Sequence, residues 1–221
     1  MEKQKLKQKL KRTTSQKRKL ALLQLQKIKA ILKREAKKIR LAAEWREPWQ
    51  VLIATILSAQ SRDEKTIEVA QKLFKTYSSL KALANAEISK VEKIIREINF
   101  YRTKARAIVR TARIIIKKYK GKIPAQREEL MKLPGVGRKV ANVYLVQVHK
   151  AAAIGVDTHV AFLSRVLGWT KSKSQIKIEK DLEALFPSRY WNEINYVLVR
   201  FGRLYRTRKM QVEKLKAEGI I

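Results

Sequence analysis

From Pro48 to its C-terminus the chain spaces its apolar residues at helical intervals, punctuated by short turns. Nowhere does it show the regular apolar–polar alternation that a half-buried strand requires. Segments 49–60 (WQVLIATILSAQ), 63–75, 88–97, 102–119, 126–132, 138–148, 158–167, 174–185 and 189–204 read as helices. The turn signals between them are Asn99, Gly121 with Pro124, Pro134 to Gly137, Gly155, Gly168 and Pro187. A run such as VLIATIL suits a buried strand in composition, but no neighbouring alternation supports a sheet. The reading is all-α, without an internal repeat.

Upstream, Leu20, Leu23, Ile28, Ile31, Leu32, Ile39 and Leu41 recur at near-helical spacing, which predicts an amphipathic helix to about Glu44. Residues 1–18 (MEKQKLKQKLKRTTSQKR) have too few apolar groups to fold alone and read as a basic flexible arm, disordered or nascent-helical. The first 40 residues carry 16 basic and 2 acidic side chains, against a net +33 for all 221 residues. Setting those 40 aside leaves +19, so the folded part is basic as well. Such an excess repels itself unless a polyanion binds, and nucleic acid is the leading partner. An anionic membrane surface is the weaker rival, since no apolar run approaches the roughly 20 residues needed to span a bilayer.

The N-terminus lacks the apolar stretch of a secretory signal. With no cysteine in the chain, disulfides, thiolate zinc sites and cysteine-ligated iron–sulfur clusters are excluded, and an intracellular setting is suggested. Two histidines, His149 and His159, are too few to favour a histidine metal site.

The stretch LPGVGRKVANV (133–143) concentrates the chemistry. A helix ends at Leu133, four residues turn, and a second helix opens with Arg138 and Lys139. Gly135 and Gly137 allow positive φ angles and keep side chains out of the way of a phosphate. The second helix offers unpaired N–H groups and the positive end of its dipole. Such a turn grips a DNA backbone without reading its sequence. Lys139 has two readings here: one more phosphate contact, or a nucleophile.

With ILSAQSRDEKT (56–66), INFYRTKARAI (98–108) and IGVDTHVAFLSRVLGW (154–169), this stretch makes the chain resemble the helix–hairpin–helix DNA glycosylases, most closely the endonuclease III family, from about Pro48 to about Arg203. The resemblance implies two helical lobes with DNA in the cleft between them. One is a six-helix barrel over 45–153, containing the hairpin (126–148); the other joins 19–44 to 154–221. It also implies that Lys139 is the catalytic lysine and Asp157 the catalytic aspartate. The residue types suit those roles. An amine must be neutral to attack C1′ of a deoxynucleotide, and a helix N-terminus, a neighbouring Arg138 and burial all disfavour an ammonium. A carboxylate stabilises positive charge at the sugar and assists proton transfer, though it also favours the ammonium form of a nearby amine. Attack would expel the base, form a Schiff base and lead to strand cleavage by β-elimination. Asp157 also suits an N-cap for the helix starting at Thr158.

Base flipping leaves a hole in the stack that something must fill. The resemblance places Gln60 and Phe100 among the inserted residues; a helix-end polar residue and a core aromatic are the alternatives. Ser58 and Asp63 fall near the lesion pocket, although Asp63 also suits a helix cap. Tyr101, Arg102 and Lys104 form an aromatic–basic phosphate patch, and Gly135, Val136, Gly137, Arg138 and His159 complete the expected DNA contacts. Trp45, Trp49, Trp169 and Trp191 read as core, and His149 as exposed.

One departure stands out. The family usually carries four C-terminal cysteines that bind a [4Fe–4S] cluster, yet Arg206 in FGRLYR (201–206) stands where the first would be. No cofactor and no metal are expected, with a monovalent cation at the hairpin carbonyls left open. A tail helix bearing Met210, Val212 and Leu215 is expected to pack in the cluster's place, and the arm to recover some DNA contact.

The sequence therefore predicts a bifunctional glycosylase and abasic-site lyase for oxidised pyrimidines of the thymine glycol type, acting as a monomer on duplex DNA. It would work in the cytoplasm at the nucleoid, or in a nucleus. Alternatives are the same chemistry on 8-oxoguanine or deaminated mismatched bases, and a non-enzymatic helix–hairpin–helix DNA-binding protein.

Overall fold

The structure is a computed structural model that describes residues 2–36, 40–61 and 63–221, with side chains from Thr13 onward. Among the described residues there is no strand, as the helical spacing requires. None of their helices is long and apolar enough to cross a membrane. The chain divides into two compact units, Met1–Ile39 with Ala152–Ile221, and Arg40–Ala151.

The discontinuous unit is built from α1 (Glu2–Glu35), α9 (Thr158–Val166), α10 (Gln175–Leu185), α11 (Trp191–Leu204) and α12 (Arg208–Ala217). The backbone from Glu2 to Arg18, read from sequence as flexible or nascent-helical, belongs to the continuous helix α1. Lysine, glutamine and leucine are good helix formers, and a helix already anchored from Ala21 need only propagate, not nucleate. The side chains of residues 1–12 and the position of Ile39 lie outside the described residues. The docked face of α1 differs from the expected one. Ala21, Gln24, Leu25, Ile28 and Ile31 are buried, whereas Leu20 and Leu23 are 55% and 50% exposed. Gln24 is satisfied inside, donating to Ile220 O (3.0 Å) and accepting from Trp169 Nε1 (2.7 Å).

α1 also ends earlier than its apolar spacing suggests, at Glu35 rather than near Glu44. Leu41 and Ala42 are buried in the other unit's stretch of chain, where the Glu44 carboxylate takes the Leu41 N–H at 3.1 Å. That unit contains α2 (Pro48–Ser58), α3 (Asp63–Thr76), α4 (Leu80–Ala84), α5 (Ile88–Ile95), α6 (Tyr101–Tyr119), α7 (Arg127–Leu130) and α8 (Arg138–His149). α2 is buried from Val51 to Leu57, the all-round burial expected of so apolar a helix. α8 packs on it through Val140, Ala141, Tyr144 and Leu145. The short α4 went unread in the sequence. It is capped by the Ser79 hydroxyl, which accepts from Ala82 N at 3.1 Å. Trp45 and Trp49 stack edge-on against Phe74, and Trp169 against Phe186, all as core aromatics.

Candidate active site

The hairpin is positioned from within its own unit. Val136 N bonds Leu133 O at 3.1 Å, closing the turn, and the Thr111 hydroxyl of α6 donates to Pro134 O at 2.8 Å. Gly135 has φ +78°, and a Cβ there would sit 3.0 Å from Ile56 Cγ2 and 3.1 Å from Ala107 Cβ, so conformation and space both demand glycine. Gly137 corrects the sequence reading. It is the N-cap of α8 at an ordinary φ of −86°, and an added Cβ would meet nothing within 4 Å. What its missing side chain preserves is open space in front of the helix start, where no side chain caps the free N–H groups. Val136 keeps its side chain in the core, 5% exposed, so the contact expected of it falls to its main chain.

Arg138 and Lys139 occupy the first turn of α8, both half-buried. Arg138 lies close enough to Glu128 to help hold that carboxylate below its ordinary range, after the larger effects of Glu128's own main chain and Arg127. Within its unit, Lys139 makes no hydrogen bond or ion pair to any described residue, so its amine is uncommitted.

Asp157 belongs to the other unit. The chain leading to it is buried through Ala153, Ile154 and Val156, and Asn195 Nδ2 donates to Gly155 O at 2.5 Å. Asp157 caps α9, its Oδ1 accepting from Val160 N at 2.9 Å, and the side chain stays half-exposed. One oxygen is thus held by the helix. His159, the second residue of α9, packs against Gly202 of α11, where an added Cβ would come 2.1 Å from its Nδ1.

The remaining expected residues sort by depth. Gln60 and Phe100 are exposed, Phe100 by 63%, and both stand on left-handed backbone at φ 54° and 58°. Phe100 is therefore not a core aromatic. Arg102 is exposed with its guanidinium 5.4 Å from the Tyr101 ring, which keeps those two as a surface aromatic–basic pair. Lys104 is not part of that patch. It is 7% exposed and donates inward to Leu57 O (2.7 Å), Ala59 O (2.6 Å) and Ser61 Oγ (2.9 Å). Ser58 gives its hydroxyl to Thr55 O (2.9 Å), and the buried Asp63 accepts from Ala42 N (3.2 Å), so both polar groups are engaged by their own unit. The sequence marks Asn99 only as a turn signal and does not mark Thr111, yet each holds a main-chain oxygen here, of Gln60 and of Pro134. Asn99 had a signal, since a turn-forming residue just before an exposed aromatic invites the question of what its amide holds.

Comparison with known proteins supplies the family. Residues 53–188 match the model of the HhH-GPD superfamily base excision DNA repair protein. Endonuclease III of Thermotoga maritima is 44% identical over 157 residues, covering 71% of this chain and 74% of that protein. Endonuclease III of Synechocystis sp. is 40% identical over 161 residues, covering 72% and 74%. A solved trapped endonuclease III–DNA covalent intermediate superimposes with a TM-score of 0.79 at 33% identity, covering 87% of this chain and 89% of that one. The chain belongs to the endonuclease III family. It is accordingly an enzyme of base excision repair, in a family of DNA glycosylases and abasic-site lyases.

The iron–sulfur cluster usual in endonuclease III does not fit the residues present. There is no cysteine to ligate it, and Arg206 is an exposed cation. The C-terminal segment is held by protein groups instead. Gln211 of α12 is 2% exposed and donates to Gly202 O (2.9 Å) and Tyr205 O (2.8 Å). Leu215 and Ile220 are buried, whereas Met210, expected to pack, is 45% exposed and Val212 only half-buried. Outside, Lys214 bridges Glu35 (2.9 Å) and Glu218 (2.8 Å), Arg34 joins Glu218 (2.7 Å), and the Tyr205 hydroxyl donates to Glu35. That hydroxyl and Lys214 hold the Glu35 carboxyl down at about 2.

Proposed function

We propose that this chain is a bifunctional glycosylase and abasic-site lyase that removes oxidised pyrimidines of the thymine glycol type from duplex DNA, with Lys139 as nucleophile. The observation that supports it best is the uncommitted, half-buried Lys139 amine at the start of a helix whose N-cap glycine leaves the approach open. The helix's unpaired N–H groups suit the phosphate beside the attacked sugar. In the reaction, the Lys139 nitrogen bonds C1′ as the C1′–N bond to the base breaks and the base leaves with a proton. Opening of the sugar ring gives the Schiff base; removal of a C2′ proton then expels the 3′ phosphate oxygen, and water returns the free amine. Asp157 keeps one oxygen on its helix and uses the other to stabilise the cationic sugar and assist proton transfer. That a trapped covalent intermediate exists for a relative 33% identical favours the same route. The enzyme works as a monomer wherever the cell keeps its DNA.

The test is borohydride trapping on thymine glycol and abasic-site duplexes, with wild type and Lys139→Ala. Trapping by wild type on both, and by the variant on neither, is expected. Trapping at the abasic site alone would move the substrate to another lesion, identified with a panel including 8-oxoguanine and deaminated mismatches. DNA binding with no adduct on either duplex would leave Lys139 as a phosphate grip.

A further inference from the structure

Lys104 is the one deeply buried lysine described among the active-site elements, and no step of the chemistry uses it. Its position is unusual in three respects. All three protons of an ammonium find an oxygen, at Leu57 O, Ala59 O and Ser61 Oγ, so the group is fully satisfied. The acceptors all come from the stretch where α2 ends and the chain turns through Gln60, and carbonyls at a helix C-terminus favour a cation. The partners lie 43 to 47 residues away in sequence, so Lys104 ties the start of α6 to the end of α2.

The same two stretches carry the exposed pair. Gln60 and Phe100 both sit in the left-handed region, which few non-glycine residues adopt, and no glycine relieves either turn. Such backbone persists only where its surroundings over-determine it. Here Lys104 fixes the carbonyls on either side of Ser58 and just before Gln60, and Asn99 Nδ2 fixes Gln60 O itself at 2.7 Å. Burial pushes the Lys104 ammonium down to about 8, the mark of a charge taken out of water to make this tie.

We infer that Lys104 is a positioning residue, whose ammonium, with the Asn99 amide, locks the 57–61 turn to the start of α6 so that Gln60 and Phe100 enter the duplex as one rigid pair. The inference rests on the reading of those two side chains as duplex-invading. Its consequence is selective. Opening a duplex around a lesion needs the rigid pair, whereas cleaving an abasic site in a single strand does not.

The experiment measures single-turnover rates on a lesion-bearing duplex and on a single-stranded abasic oligonucleotide, for wild type, Lys104→Met, Asn99→Ala, Gln60→Ala and Phe100→Ala. Fluorescence of 2-aminopurine beside the lesion reports unstacking. Lys104→Met is expected to slow the duplex reaction about 10- to 100-fold and weaken the unstacking signal, the range of about 1.4–2.7 kcal/mol in barrier. Its rate on the single strand should stay within about twofold of wild type, one sign that the fold survives. Asn99→Ala, at an exposed residue, should show the same selectivity more weakly, and it carries the test if Lys104→Met does not fold. Equal losses on both substrates, with Asn99→Ala unchanged, would overturn the inference and leave Lys104 a packing residue. If the Gln60 and Phe100 variants are selective and the Lys104 and Asn99 variants are not, the inference fails alone. If Gln60→Ala and Phe100→Ala show no selectivity, the invading-pair reading fails and takes the inference with it.

Discussion

Two turns in this protein are fastened in the same manner by different chemistry. After α2, the Lys104 ammonium holds the carbonyls of Leu57 and Ala59; after α11, the Gln211 amide holds those of Gly202 and Tyr205. Both side chains are buried and both reach main-chain oxygen at the C-terminal end of a helix. The ammonium makes a third bond and is complete, while the amide keeps a buried Oε1 with no partner among the described residues. The backbones differ accordingly. The first turn passes through Gln60 at φ 54° beside Phe100 at φ 58°, and the second ends at Tyr205 with an ordinary φ of −105°. A charged clamp costs more to bury but grips harder, and it stands where left-handed backbone must be held. A neutral amide suffices where the chain is relaxed and merely needs closing, in the segment that other members of the family give to a metal cluster.

The contrast predicts an order of effects. Lys104→Met strands the buried Leu57 carbonyl and the part-buried Ala59 carbonyl at about 1–3 kcal/mol each, partly offset by no longer burying a charge, so a loss of about 2–4 kcal/mol is expected in chemical denaturation. A loss below that of Gln211→Leu would break the comparison. Gly202→Ala tests whether the second turn depends on packing rather than strain. Its Cβ would press on His159, and overpacking of about 1–3 kcal/mol should appear, with reduced glycosylase activity as the first turn of α9 shifts. Gln211→Leu removes the two bonds but also the orphaned Oε1, for a smaller loss of about 1–2 kcal/mol, and hydrogen exchange should rise locally in residues 201–215.

The smallest effect is on the surface of the second region. Glu35 is held below its ordinary range, so its charged form is favoured in the folded state. Its contribution is full above about pH 4.5, the ordinary value of a glutamate, and is lost as pH falls towards 2. The stability gap between wild type and Glu35→Gln should therefore close between those limits, as melting curves at pH 6, 4 and 3 would reveal. A gap that does not narrow at all from pH 6 to pH 3 would mean packing, not charge, is what Glu35 supplies.

Much of this was legible in residues 133–143, because a proline, two spaced glycines and a basic helix start leave few local alternatives. Asp157 as an N-cap was equally legible, since capping is decided within three residues. Other features were harder. Five-residue α4 falls below what apolar spacing resolves, and only its Ser79 cap marks it. In α1 the spacing pointed to Leu20 and Leu23, yet Ala21 and Gln24 face inward, because where α11 docks decides which face is covered. Lys104 was read as a phosphate contact among many basic neighbours. Its signal was its register: it shares one face of α6 with Ala105, Ile108, Ala112 and Ile115, all buried.

The all-helical class, the glycine hairpin and the impossibility of a cysteine-bound cluster follow from the order of residues alone, because helical spacing, turn chemistry and composition are local properties. So does the strongly basic character of the chain. Which of its 52 lysines and arginines turns inward was decided by the tertiary structure alone, since whether a cation is buried depends on the oxygen atoms brought to it from elsewhere in the chain. For Lys104 those oxygens come from more than 40 residues away, and only the packing of α6 beside the end of α2 assembles them.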